Sequence, residues 1–108
     1  ESWNLPACEL MSVGRPSILV PFGGPADFTS KNTSWQLPYK MVKTPKEAYK
    51  CVGKIAYPDK CGTIRAMQEA YSDQLLLAEK ALASAKASHE FTEARFAQRL
   101  RSIVNRYG

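Results

Sequence analysis

Glu1-Ser2-Trp3-Asn4-Leu5-Pro6-Ala7-Cys8-Glu9-Leu10-Met11-Ser12-Val13-Gly14-Arg15-Pro16-Ser17-Ile18-Leu19-Val20 is the stretch from which the rest of the chain is read. Leu5 to Val13 has a helical composition. Asn4 can cap its start, Pro6 falls in the first turn, where a missing N–H costs little, and Gly14 suits a left-handed stop. Pro16-Ser17-Ile18-Leu19-Val20, closed by Pro21, has the apolar continuity of a parallel strand covered by helices on both faces. The amides that open a helix have no intrahelical acceptor and sit at its positive dipole end, so the start near Asn4 suits a phosphate. Glu1 and Glu9, with seven residues between them, bracket that start. A carboxylate there suits a vicinal diol, as an acidic side chain holds the ribose in dinucleotide sites.

Moving outward, Gly23-Gly24-Pro25 makes a turn with a short helical segment through Phe28, and a second, weaker strand is expected over Ser34 to Leu37. Thr44-Pro45-Lys46-Glu47 reads as a capping box, and Ala48, Cys51, Val52 and Ile55 then share a helical face, predicting a helix that stops before Pro58. Pro58-Asp59-Lys60-Cys61-Gly62 is a turn cluster. Ile64, Met67, Tyr71, Leu75, Ala78 and Leu82 recur at spacings of three and four, predicting one long amphipathic helix from Thr63 to about Lys86. A last helix is predicted from Thr92 as N-cap. In it a Phe91–Phe96 staple leads into a buried stripe of Leu100, Ile103, Val104 and Tyr107, with Gly108 as the stop.

The expected fold class is α/β: part of a Rossmann-like parallel sheet, two strands of it in this segment, followed by long C-terminal helices. Residues 1–58 form the βα part and 59–108 a helical extension packed on it. A two-stranded sheet is marginal in water and parallel strands need cover on both faces. The chain, which starts at Glu1, is therefore expected to be a piece whose upstream strands and helices complete the sheet.

The opening segment resembles the donor-binding region of family-4-type retaining glycosyltransferases with the two-Rossmann-domain fold. There a Glu, an aromatic residue, Leu-Pro and a second Glu precede a Gly-x-Pro step into an apolar strand. Gly23-Gly24-Pro25-Ala26-Asp27 resembles the Gly-Gly turn that follows this strand, and Phe91 to Tyr107 resembles the closing helix, which crosses back onto the other domain. Tyr57 to Ser88 matches no motif of that family. The resemblance implies a hexosyltransferase fragment whose residues 1–58 are the second half of a nucleotide-sugar-binding domain. It implies that Glu9 holds the ribose hydroxyls of a UDP- or GDP-linked sugar and that Glu1, the catalytic candidate, lies at the reacting centre. The amides around Asn4 and Leu5 would face sugar and diphosphate, with no metal required and no other cofactor. Asn4 stands where the family commonly has Gly, and Asp27 where it commonly has Glu. The other partners implied are the missing N-terminal Rossmann-like domain and an acceptor glycan, lipid or protein. This segment alone is expected to be inactive.

The alternative is a non-catalytic interaction or membrane-surface-binding module using the basic amphipathic C-terminal helices. The net charge of +5 suits any anionic partner, but no nucleic-acid-binding motif accompanies it and none is expected as a partner. Cys8, Cys51 and Cys61 have no metal-ligand spacing, His89 lies far from them, and reduced thiols in a cytoplasmic protein, or one at the cytoplasmic face of a membrane, are expected. No P-loop and no nucleophile–His–acid arrangement is legible, so kinase and hydrolase readings fall away. Trp35 and Tyr39 read as structural, and Trp3 as filling a helix–sheet interface.

Overall fold

The computed structural model describes residues 3–44 and 53–108. The elements are α1 (Leu5–Ser12), β1 (Ile18–Leu19), α2 (Gly24–Phe28), β2 (Trp35–Gln36), β3 (Tyr39–Lys43), β4 (Lys54–Pro58), α3 (Lys60–Ser72), α4 (Gln74–Ser88), a 3₁₀ turn (His89–Phe91) and α5 (Glu93–Tyr107). The chain is mixed α/β, with a two-stranded parallel sheet and long C-terminal helices.

Both ends of α1 form as the sequence dictates. Asn4 caps it, its Oδ1 accepting from the Ala7 N–H at 3.3 Å. At the far end the Gly14 N–H donates to Met11 O at 3.0 Å and the Arg15 N–H to Leu10 O at 2.8 Å. That reciprocal pair is the Schellman closure, and it needs a left-handed residue at Gly14, whose φ is 67°. The chain then enters β1, which pairs in parallel with β2 in the register Ile18↔Trp35 and Leu19↔Gln36, the crossover passing through α2. Ala7 and Met11 of α1, Leu19 and Phe28 form the core, with Cys8 and Ala87 packed against it.

Several polar bonds join the helical part to this unit. Ser84 on α4 donates to Thr33 O at 2.6 Å, Lys80 Nζ donates to Ser34 O at 3.1 Å and to Lys31 O, and Trp35 Nε1 donates to Glu69 Oε2 on α3 at 2.8 Å. The Lys80 ammonium also lies 5.2 Å from the centre of the Trp35 ring. A ring cluster ties the residue before α1 to α2 and to the 3₁₀ turn: Trp3 sits 5.0 Å from Phe28 and 5.8 Å from Phe91, centre to centre.

Four expectations are corrected. The helix predicted from Thr44 toward Pro58 is replaced, over its described part, by strand: β4 pairs antiparallel with β3, Val42 opposite Ile55 and Met41 opposite Ala56, and Thr44 N–H donates to Gly53 O at 3.0 Å. Ile55 and Tyr57, with Tyr39, Met41 and Val42, carry the β-branched and aromatic character that favours cross-strand pairing. Pro45, Lys46, Glu47, Ala48, Cys51 and Val52 of that predicted helix lie outside the described residues. The described chain accordingly has four strands rather than two.

The long helix from Thr63 to Lys86 is two helices, because Asp73 ends α3 and its Oδ1 caps α4 by accepting from the Leu76 N–H at 2.9 Å. Met67, Tyr71, Leu75 and Leu82, predicted to face the core, are exposed; α4 meets α1 through small residues, Ala81 and Ala85 lying over Gly14. Last, α5 starts at Thr92 as expected, with Thr92 Oγ1 accepting from Arg95 N–H at 3.4 Å, but its apolar stripe is exposed along its whole length. Phe91 turns to Trp3 and Phe28, while Phe96 is 68% exposed.

Candidate functional site

The parallel pair β1–β2 fixes where a ligand can sit. In open α/β sheets ligands bind beyond the carboxyl ends of the strands, and beyond Leu19 lies a cleft of about 410 Å³ lined by Asn4, Leu19, Val20, Phe22, Pro25, Lys54, Ile55 and Ala56. One wall is the start of α1, the floor is the end of β1, a second wall is the turn into α2, and β4 closes the far side.

Asn4 is placed in this cleft by its cap. Its φ of 62° and ψ of 65° lie in the left-handed region, where a short polar side chain that bonds locally is tolerated best after glycine. Oδ1 accepts from the Ala7 N–H, and the residue itself lines the cleft. The first-turn amides are fewer than the sequence suggested. The Ala7 N–H is taken by Asn4 Oδ1 and O, the Cys8 N–H goes to Asn4 O at 3.3 Å, and Pro6 has none. Of the first-turn amides, the Leu5 N–H finds no acceptor among the described residues. Leu5 is exposed, 58% accessible.

Glu9 is exposed, on the same face of α1 as Leu5 one turn earlier, since residues four apart are neighbours on a helix. It does not line the cleft. Asn4 and Glu9 are separated along the helix by about 7 Å, five residues at 1.5 Å each. Glu1 lies outside the described residues. The structure thus brings Asn4 to the cleft, while Leu5 and Glu9 lie on the exposed face of α1 and do not line it.

Lys54, Ile55 and Ala56 are cleft residues that the sequence reading missed, because it assigned them to a helix. Their signal was the hairpin itself, two β-rich runs with matched ends. Among the described residues Lys54 is the only charged side chain lining the cleft. Among the described residues no group of His, Cys, Asp and Glu is arranged to hold a metal, and Cys8 and Cys61 are free thiols. No helix among the described residues is long and apolar enough to cross a membrane. No protein-family model, curated protein or solved structure matches this chain.

Proposed function

We propose that this chain is the donor-binding part of a retaining, nucleotide-sugar-dependent glycosyltransferase. The observation that carries the reading is the capped start of α1, with Asn4 opening onto a cleft at the carboxyl end of a parallel strand and Glu9 one turn farther on the same helix. In this reading the donor sugar lies against Asn4 and Leu5, the diphosphate runs along the α1 start, and Glu9 accepts from the ribose hydroxyls. The roughly 7 Å from Asn4 to Glu9 along the helix is comparable to the length of a diphosphate bridging two sugars. As the glycosidic bond breaks, the leaving diphosphate gains negative charge, and in this reading donors at the α1 start stabilise it, a type of term commonly worth several kcal/mol. Glu1 is assigned to the reacting centre on the resemblance alone. The full reading includes a second Rossmann-like domain, an acceptor and a cytoplasmic location.

The test is nucleoside diphosphate binding by the intact protein and its Glu9→Ala variant. A loss of about tenfold or more is expected, since a hydrogen bond to a charged group is worth roughly 1.5–3 kcal/mol. Unchanged affinity removes the role of Glu9.

A second reading has its own observation, the exposed stripe of Phe96, Leu100, Ile103 and Val104 on α5. On the helix this stripe is flanked by Arg95, Arg99 and Arg106 on one side and Arg101 on the other, the distribution of a helix lying on an anionic membrane surface. Co-sedimentation with vesicles rich in phosphatidylserine, lost on vesicles of phosphatidylcholine alone, is the expected result. Binding indifferent to lipid charge rejects it.

A further inference from the structure

The β3–β4 hairpin is an arm that contributes its own residues to the cleft. We infer that Lys54 on this arm is an anion-binding residue of the cleft, engaging the phosphoryl oxygens of a diphosphate-bearing ligand. The inference rests on the donor-binding reading for the identity of that ligand, but its geometry and charge stand apart from it.

Two observations carry it. Among the described residues the cleft wall has one charge, and it is positive: beside Lys54, the lining residues Asn4, Leu19, Val20, Phe22, Pro25, Ile55 and Ala56 are neutral. Lys54 can only donate and the Asn4 amide can donate, so the described lining suits a ligand that accepts hydrogen bonds and carries negative charge. The second observation is the charge carried by the arm's two strands. Tyr39–Lys43 and Lys54–Pro58 hold Lys40, Lys43 and Lys54 and no acidic residue, and the register sets Lys43 directly opposite Lys54. Like charges facing each other across a ladder are destabilising. Among the described residues the acid–base pairs within 4 Å are Glu90 with Arg95 and Arg99, far from the arm. A bound phosphoryl group relieves the opposition of Lys43 and Lys54 and orders Lys54 over the cleft.

The arm is otherwise poorly supported. Every residue of β3 is exposed, and two-stranded ladders are marginal in water without other cover. Tyr39 meets Phe22 of the cleft wall edge to face, ring centres 5.8 Å apart, so the arm leans on the site rather than away from it.

The experiment is calorimetric titration of the chain, its Lys54→Gln and Lys54→Arg variants, and Glu9→Ala, with inorganic pyrophosphate and with a nucleoside diphosphate; circular dichroism checks that each variant is folded. Lys54→Gln is expected to weaken both ligands by about tenfold and to flatten their salt dependence, while Lys54→Arg stays within about threefold of the parent. Equal affinity of parent and Lys54→Gln for both ligands overturns the inference, and does so without touching the donor reading if Glu9→Ala still weakens the nucleotide. Loss with Lys54→Gln, combined with a nucleotide that binds no tighter than pyrophosphate, supports Lys54 and overturns the nucleotide reading instead. Absence of binding by either ligand to the folded chain overturns both.

Discussion

Asn4 is the one non-glycine residue with a positive φ among the described residues, and it pairs backbone strain with a capping bond. The two effects separate by substitution. Asn4→Ala loses the cap and puts a methyl side chain in the left-handed region, so a destabilisation of about 1–2 kcal/mol is expected. Asn4→Gly loses the cap but relieves the strain and costs only a few tenths. Thermal denaturation of the two variants gives the order, and equal losses would mean that the left-handed backbone carries no penalty here. Lys80 presents the opposite situation, a buried amine whose Nζ serves the carbonyls of Lys31 and Ser34 and lies over the Trp35 ring. Lys80→Met leaves those carbonyls without their donor, and an unfolding free energy lower by about 1–3 kcal/mol is expected by urea titration.

At the scale of elements, what was legible in the sequence was local chemistry. Asn4, Gly14, Thr92 and the Gly23–Pro25 turn place α1, α2 and α5 because caps and glycine stops act within a few residues. The β1–β2 strands were legible as apolar runs bounded by Pro and turn residues. The β3–β4 hairpin was not, because Ile55 coincides with a helical spacing from Ala48, Cys51 and Val52 and hides a pairing decided by the opposite strand. The break at Asp73 was missed for a related reason: apolar spacing of three and four continues across it, and only the side-chain bond to Leu76 N–H marks the new start. For the site, Asn4, Leu5 and Glu9 were legible from the helix start, and Lys54 was not, since its place depends on the hairpin. Gly62 exposes another tertiary constraint. A Cβ there would stand 2.7 Å from Pro38 Cγ, so Gly62→Ala must push α3 off the β2–β3 connection. A drop in stability of more than about 1 kcal/mol is expected in denaturant unfolding, although alanine is the better helix former.

The whole molecule is a slab of 48 × 42 × 17 Å, with a radius of gyration of 16.9 Å where about 13 Å is usual for a compact chain of this length. Its thickness leaves apolar faces on α3, α4 and α5 open at once, which supports the view that another protein layer or a lipid surface covers at least one of them. Replacing Leu100 and Ile103 together by Ser is expected to change the melting temperature of the isolated chain little, because both are about half exposed. The same change should abolish vesicle binding if α5 is the membrane face. A double variant that melts substantially lower would show that the stripe is buried in solution by another copy of the chain.

The polar fastening of α4 bears on how the chain responds to heat. Among the described residues the largest side chains sealed completely from solvent are Met11, Ser34 and Ser84, two of them hydroxyls. Unfolding then uncovers little hydrocarbon, and the heat-capacity increment, which scales with newly hydrated apolar surface, should fall below the roughly 12–15 cal/mol/K per residue of ordinary domains. A small increment flattens the stability curve. Calorimetry of the chain should therefore trace a broad, low-enthalpy transition and a stability that varies slowly with temperature.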